Sequence, residues 1–306
     1  MRNLNEIRGF LLNVKKILDR ELDELISLAV TELPDDVEQA LKLALEKEDS
    51  ELGKMNLKLI LENLSIARNK RLPICQDTGV LNFYIKVGED CINHKELLDI
   101  IKNAVRRATL NIPLRPSIVD PLTRKNSGNN VGERIPYLYI ETIDEPYFEI
   151  TVFPKGAGSE NMCRLFMLTP RDGIAGIKKS VLDAIVEAGG RACPPIIIGL
   201  GIGGTSDLAM KLSKEALLRP IGKPNPNDKI ANLENELLKI VNSIGLGTMG
   251  LGGKITSLGV NIEYADCHTA SLPLGVSFQC WADRRAVMRI YEDEKVEYLS
   301  HRRVRN

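Results

Sequence analysis

The cysteines of this 306-residue sequence are its first candidates for metal binding or catalysis. Six are present and widely dispersed, at positions 75, 91, 163, 193, 267 and 280. Such a set in a long chain does not indicate a disulfide framework, so metal binding or catalysis becomes the alternative to a small buried hydrophobe. Cys75, Cys193 and Cys280 share a distinct setting, because each lies in a loop or at a strand end, where thiolates could point into one cavity. The other three lie in segments typical of an ordinary loop (Cys91), helix (Cys163) and strand (Cys267).

Three thiolates without a fourth would suit one particular cofactor. An iron–sulfur cubane is normally held by four thiolates. With three, one iron keeps open positions for substrate oxygens, and the cluster acts as a Lewis acid rather than an electron carrier. The three cysteines are separated by long stretches, and no C-x-x-C spacing supports the set. The residue pattern alone therefore leaves a cluster and three core thiols as open alternatives.

Hydrophobic periodicity predicts helices throughout residues 4–69 and a mixture of helices and strands after them. The later predicted helices cover about 93–110, 173–189 and 207–218, and the predicted strands cover about 80–87, 135–142, 147–153, 257–264 and 272–279. The strands at 135–142 and 147–153 are expected to form a hairpin. This order predicts a mixed α/β (α+β) protein with one domain over 1–306. A helical N-terminal region over 1–70 would precede a mixed sheet packed with helices over 71–306.

A glycine run raises a competing interpretation. Residues 199–204, GLGIGG, fit G-x-G-x-x-G after an apolar run and before a helix, which would suit a nucleotide-dependent oxidoreductase with a glycine loop. A Rossmann unit needs a second strand after that helix, but the prolines of residues 219–229, RPIGKPNPNDK, exclude a central strand there. A further alternative is a non-catalytic scaffold whose cysteines are core residues.

Composition excludes some partners. Lys+Arg and Asp+Glu balance at 41 each, so no overall field draws the chain to nucleic acid or to an anionic membrane. No run of about 18 apolar residues suggests a membrane span, and the charged N-terminus does not resemble a signal peptide. We expect a cytoplasmic protein without nucleic-acid or membrane partners.

Five ordered stretches of the sequence resemble a known family. They are LPICQDTG, LRPSIVDP, KGAGSENM, ACPPIIIGLGIGGT and HTASLPLGVSFQCWADRR, within residues 70–285. The sequence resembles the α-type catalytic part of the class I iron–sulfur hydro-lyases, fumarase class I and L-tartrate dehydratase. The resemblance implies a [4Fe–4S] cluster with one open iron site, bound within residues 71–306 by Cys75, Cys193 and Cys280. These are the three cysteines that their setting distinguishes.

The resemblance also implies roles around a small dicarboxylate substrate. Substrate contacts would come from Gln76, Arg115 and a glycine loop that includes Gly156, Gly158 and Ser159. Asp77 and His268 would be the catalytic residues that handle a proton. A guanidinium can bind a carboxylate through two N–H groups, which suits Arg115. The structural alternatives are a surface ion pair for Arg115, an Asx-turn for Asp77 and a core position for His268.

The resemblance implies a partner chain as well. Single-chain fumarases of this family continue into a C-terminal domain, whereas this sequence ends at Asn306. We therefore expect a separate β subunit to supply the remaining substrate contacts and a base. An α–α dimer within a larger heteromer is also expected. Fumarate and (S)-malate are the first expected substrate pair, and conversion of tartrate to oxaloacetate is the alternative.

Overall fold

The computed structural model describes residues 4–88 and 93–301, with side chains from residue 13 onward, so Cys91 lies outside the described residues. The chain divides into two compact units. The first comprises the described parts of Met1–Asp35, Leu64–Lys155 and Arg284–Asn306, and the second comprises Asp36–Asn63 and Gly156–Asp283.

The first unit is built on a five-stranded sheet. Its strands are β1 (Val80–Val87), β2 (Tyr137–Thr142), β3 (Tyr147–Lys155), β8 (Ala286–Tyr291) and β9 (Val296–Tyr298), in the order β2-β1-β3-β8-β9. Helices α1 (Leu4–Thr31) and α4 (His94–Asn111) belong to this unit. The Asn93 side chain caps α4 by accepting from Lys95 N at 2.9 Å.

The predicted hairpin between the second and third strands is wrong. β1 lies between them, with β2 parallel to β1 on one side and β3 antiparallel on the other. The burial of the strands explains this order. Nearly every residue of β3 is buried, which favours an interior strand with neighbours on both sides, whereas β2 is mostly exposed and forms the edge.

The first unit has one continuous apolar core between its sheet and its helices. Residues at helical spacing on α1 and α4 pack on alternate residues of the strands. Fully buried members include Leu18, Leu22, Leu25, Ile101, Val105, Phe83, Ile150 and Met288.

The second unit contains a four-stranded sheet of order β4-β7-β5-β6. Its strands are β4 (Arg164–Leu168), β5 (Ile196–Gly204), β6 (Ser257–Cys267) and β7 (Leu272–Gln279). β5 and β6 are parallel, and β7 is antiparallel to both β4 and β5. The helices that contribute to this unit are α2 (Asp35–Lys47), the first part of α3 (Glu51–Lys70), α5 (Ala157–Glu160), α6 (Gly173–Ala188), α7 (Ser206–Ala216) and α8 (Asp228–Ser243).

The glycine run 199–204 is part of strand β5 and not the expected loop. Its alternate residues face opposite sides, with Ile198 and Leu200 in the core that includes α6 and α8. A Cβ on Gly199 or Gly201 would lie 2.0 Å from a main-chain oxygen of α7, at Ser213 and at Ala209 respectively. These two glycines therefore let α7 approach the sheet closely, which accounts for them without a nucleotide.

The predicted fold class, helices followed by mixed sheets packed with helices, is confirmed. All of the described residues 4–70 outside two short connections are helical. The assignment of 1–306 to a single domain stays a prediction. Among the described helices, none combines the length and the apolar character that a membrane crossing requires.

Candidate active site

The loop that carries Cys75 joins α3 to β1 in the first unit, and its backbone is held at both ends. Ile74 N donates to a main-chain oxygen of α1 at 2.9 Å. Gly79 has φ +78°, and a Cβ there would lie 2.8 Å from the Lys155 carbonyl group, so β1 can begin beside β3 only with glycine. Between these anchors Cys75 is half-buried and Gln76 is exposed. The loop thus presents a thiol and an amide on a fixed backbone.

Asp77 is held by its backbone and by its side chain. Its Oδ1 accepts from Gly79 N at 3.1 Å, so the Asx-turn considered as a structural alternative is present. Its main-chain oxygen accepts from Arg284 Nη2 at 2.9 Å, and the Arg284 side chain is buried. Arg284 belongs to the motif CWADRR, but no role was predicted for it.

Arg115 lies on a second loop that contacts the first. Its main-chain oxygen accepts from Thr78 Oγ1 at 3.4 Å, from Asn130 Nδ2 at 3.2 Å and from Ser117 Oγ at 3.2 Å. Thr78 and Asn130 are buried, whereas Arg115 is exposed. The structure therefore brings the Arg115 loop to the Cys75–Asp77 loop and leaves the guanidinium at the surface of this unit.

In the second unit, Cys193 and Cys280 are brought together by the backbone. Cys193 has the left-handed conformation φ 54°, ψ 68°, and its N–H donates to Gly190 O at 3.0 Å. Its own main-chain oxygen accepts from Trp281 N at 3.1 Å. Cys280 directly precedes Trp281 and directly follows β7, so two half-buried cysteines far apart in sequence lie on neighbouring backbone.

The predicted glycine loop lies beside this pair. A Cβ on Gly158 would approach a main-chain oxygen of the 189–192 turn to 3.1 Å. Ser159 is buried, and its Oγ donates to Gly156 O at 3.3 Å and to Gln279 Oε1 at 3.4 Å. Gln279 is buried at the end of β7. It was not predicted as a site residue, although its position next to Cys280, a predicted ligand, was a signal.

A second glycine-rich loop, residues 245–256, supports the turn that contains Cys193. Met249 N donates to Pro194 O at 2.8 Å. The loop is tied to Glu48, whose carboxylate accepts from Lys254 N at 2.9 Å and from Ile255 N at 3.0 Å. Burial raises the pKa of Glu48, but its backbone N–H donors together outweigh that effect, so its pKa lies below the usual value.

His268 is exposed and follows the end of β6, so it is not the core histidine considered as an alternative. Its Nδ1 accepts from Ala270 N at 3.1 Å, which in the neutral ring assigns the proton to Nε2. The imidazole lines a cavity of about 630 Å³ together with Asp266, Cys267, Ser271 and the start of α7.

The second unit separates His268 from its cysteine pair by the length of the sheet. β6 ends beside the last residue of β5, because Gly204 pairs with Cys267. β7 runs from Leu272 at that end to Gln279 at the other end, next to Cys280. At about 3.4 Å per residue, this strand spans roughly 24 Å. Within this unit, His268 and Cys280 therefore lie at opposite sheet ends.

The predicted ligand set fits an iron–sulfur cluster in its donor chemistry and in part in its arrangement. Thiolates are the ligands that such clusters take, and Cys193 and Cys280 lie on neighbouring backbone beside a glycine turn. Cys75 belongs to the first unit. Within residues 4–88 and 93–301, no group of three or more His, Cys, Asp or Glu side chains is arranged to hold a metal ion. The fit therefore rests on the arrangement of Cys193 and Cys280 and on the donor chemistry of the Cys75 thiol.

The remaining described cysteines have local explanations. Cys163 lies in the turn after α5, not in a helix, and its Sγ donates to Ser159 O at 3.6 Å. Cys267 is exposed at the end of β6, and its Sγ donates to Ser271 O at 3.2 Å. Neither belongs to the predicted ligand set, so they serve as natural controls.

Comparisons with known proteins identify the family. Residues 19–289 match the model of the family described as fumarate hydratase (fumerase). The chain is 54% identical over 279 residues to a protein of Methanocaldococcus jannaschii named "Putative L(+)-tartrate dehydratase subunit alpha", covering 89% of this chain and 97% of that protein. It is 38% identical over 274 residues to the L(+)-tartrate dehydratase subunit alpha of Escherichia coli K12, covering 89% and 90% respectively. The chain therefore belongs to the fumarate hydratase family.

Proposed function

We propose that this chain is the α-type catalytic subunit of an iron–sulfur hydro-lyase that removes water from L(+)-tartrate to give oxaloacetate. The names of the relatives at 54% and 38% identity support tartrate over the fumarate and malate pair that the sequence first suggested. The observation that carries the proposal is the 3.1 Å bond from Trp281 N to Cys193 O, because it joins two of the three proposed ligand segments.

Cys75, Cys193 and Cys280 are the proposed ligands of a [4Fe–4S] cluster. When bound, a cluster held by three thiolates supplies a Lewis-acidic iron that polarises a substrate hydroxyl group. The chain supplies rigid backbone at each ligand, through the Ile74 anchor, the left-handed Cys193 turn and the end of β7. Rigid ligand positions favour retention of a cluster in which one iron has no protein ligand.

Arg115 and Gln76 are proposed to bind the carboxylates of the substrate. Both side chains are exposed, and the Arg115 backbone is fixed by Thr78 and Asn130, so the guanidinium extends from a stationary base. Two N–H groups of one guanidinium match the two oxygens of a carboxylate. Gly156, Gly158 and Ser159 are proposed to contact the substrate from the second unit, next to the cysteine pair.

Asp77 is proposed to handle a proton during the elimination, alongside the base that the β subunit is expected to supply. Its half-buried carboxylate is held by the Gly79 N–H, which limits side-chain motion. Loss of a proton from one carbon and of the hydroxyl group from the adjacent carbon releases water and leaves an enol. The enol then becomes the keto acid. His268 was predicted to share this task, but its separation from Cys280 within the second unit gives that assignment no support. Its catalytic role stays a prediction.

Hydration of fumarate is the second candidate, because the matching family model is named for fumarate hydratase. A separate β subunit is part of the proposal for either substrate, since the relatives are named as alpha subunits. The α–α dimer and the cytoplasmic location also stay predictions. Assays of the chain with its β partner on L(+)-tartrate, fumarate and (S)-malate would distinguish the candidates through their kcat/KM values.

Anaerobic reconstitution tests the cofactor directly. The wild-type chain should bind about four irons and four sulfides and show a broad visible absorption band that air bleaches. Cys75→Ser, Cys193→Ser and Cys280→Ser should each reduce the iron content of the chain and, in assays with the β partner, the activity as well. Cys163→Ser and Cys267→Ser are matched controls that should retain both. An iron-free wild type, or equal iron in all five variants, would contradict the proposal.

A further inference from the structure

Arg284 has an environment that the proposed site does not yet explain. The residue is 2% exposed and ranks among the largest fully buried side chains of the described chain. Nη2 donates to Asp77 O at 2.9 Å. Nε and Nη1 are buried and have no hydrogen-bond partner among the described residues. A buried guanidinium is thus bound through one nitrogen only.

Such a group is costly unless it is paired. A guanidinium stays protonated in proteins, so it cannot escape burial by losing its charge. Burial of a charge or of an unmatched N–H group disfavours the folded state strongly. No ion pair of Arg284 with an acidic side chain is seen among the described residues, in contrast to Arg289 nearby, which binds Glu149 at 2.6 and 3.0 Å. The arrangement calls for a buried anionic acceptor.

The sequence and the contacts of Arg284 associate it with two proposed ligands. Its bonded partner Asp77 lies two residues after Cys75, and Arg284 itself lies four residues after Cys280. A cluster with three thiolates adds sulfur acceptors and net negative charge. A carboxylate from solvent is the weaker match, because the guanidinium is almost completely inaccessible.

We infer that Arg284 is a positioning residue for the cluster, and that its Nε–H and Nη1–H groups donate to cluster or thiolate sulfur while Nη2 holds Asp77 O. This inference rests on the proposed function, and it assigns Arg284 a task that is separate from substrate binding. Hydrogen bonds to sulfur and a nearby positive charge stabilise the reduced cluster, which raises its midpoint potential. They also slow the loss of iron from the protein.

The test compares reconstituted wild type with Arg284→Gln, Arg284→Lys and the control Arg289→Gln, without substrate. Arg289 is an arginine of the same unit whose guanidinium already has a carboxylate partner. The readouts are the cluster midpoint potential and the rate of iron loss to a chelator under anaerobic conditions. Arg284→Gln should lower the potential and speed iron loss roughly 10–100-fold, as expected for a residue that supports metal ligands. Arg284→Lys should fall between, because an ammonium keeps the charge but cannot reproduce the guanidinium fork.

Each outcome has one meaning. A lower potential and faster iron loss only in the Arg284 variants would support the inference. If these variants matched Arg289→Gln in both readouts, the inference would fail and the proposed function would stand. Unchanged cluster properties, with weaker L(+)-tartrate binding in a separate titration of the same variants, would assign the acceptor to the substrate and overturn the inference. An iron-free wild type would overturn the proposed function and the inference together. If Arg284→Gln did not fold, Arg284→Lys would decide by the same readouts.

Discussion

Glu48 offers a sharp test of how the fold supports the Cys193 turn. Its Oε1 accepts from Asp49 N, Ser50 N and Lys254 N at 3.0, 3.0 and 2.9 Å, and its Oε2 accepts from Ile255 N at 3.0 Å. One buried carboxylate therefore joins the end of α2 to the loop at 245–256. Removal of this carboxylate should loosen that loop.

The expected loss of stability follows from these four bonds. In Glu48→Ala, the buried Ile255 N–H would lose its acceptor at a cost of about 1–3 kcal/mol. The other three N–H groups can reach water, so each bond is worth about 0.5–1.5 kcal/mol. The total is about 2.5–7.5 kcal/mol, a large part of the usual free energy of unfolding of about 5–15 kcal/mol. Glu48→Gln keeps an oxygen for three donors but turns an NH₂ group toward Ile255 N, so about 1–3 kcal/mol should be lost.

The pH dependence has a definite sign. The pKa of Glu48 is lowered in the folded chain from the ordinary value of 4.5, so the unfolded chain binds the proton more readily. The contribution of Glu48 to stability is therefore complete above about pH 4.5 and is lost as pH falls through the lower folded pKa. Glu48→Gln should lack this part of the acid dependence.

Urea unfolding measured at several pH values would test the reasoning. Glu46→Gln is the matched control, because Glu46 lies in the last turn of α2, two residues before Glu48, and is exposed. Glu48→Ala should also lose cluster iron faster, since Met249 of the same loop binds Pro194 O beside Cys193. A Glu48→Ala chain as stable as the Glu46→Gln chain would refute the assignment of Glu48 as the support of this loop.

Two further predictions concern the helix–sheet contact and the substrate loop. Gly199→Ala should destabilise the second unit by several kcal/mol in urea unfolding, because a Cβ would lie 2.0 Å from Ser213 O. Gly259→Ala, where the nearest atom would be 3.5 Å away, is its control, and equal stability of the two variants would argue against close packing as the reason for Gly199. Asn130→Ala removes an amide that donates to Arg115 O, so KM for the dicarboxylate should rise several-fold while cluster iron stays constant. A parallel loss of iron would indicate instead that Asn130 supports the whole unit.

Local patterns in the sequence were sufficient to predict most of the elements and to distinguish three cysteines as candidate ligands. Helices at 4–69 and the Asn93 cap depend on periodicity and on nearby hydrogen bonds, which the sequence itself contains. The loop and strand-end settings of Cys75, Cys193 and Cys280 are local as well, and the ordered motifs were enough to predict the family.

Only the tertiary structure decided which segments are neighbours. β1 lies between β2 and β3, and β3 is buried with a neighbouring strand on each side. The sequence of one strand does not specify which strands will be its neighbours. The glycine pattern at 199–204 resembles that of a phosphate-binding loop, because close packing of a helix and close approach of a phosphate both require the absence of a Cβ. Glu48 and Arg284 were missed for a related reason. Lys254, which binds Glu48, and Asp77, which binds Arg284, each lie more than 200 residues from their partner. A charge becomes informative only where folding removes it from water.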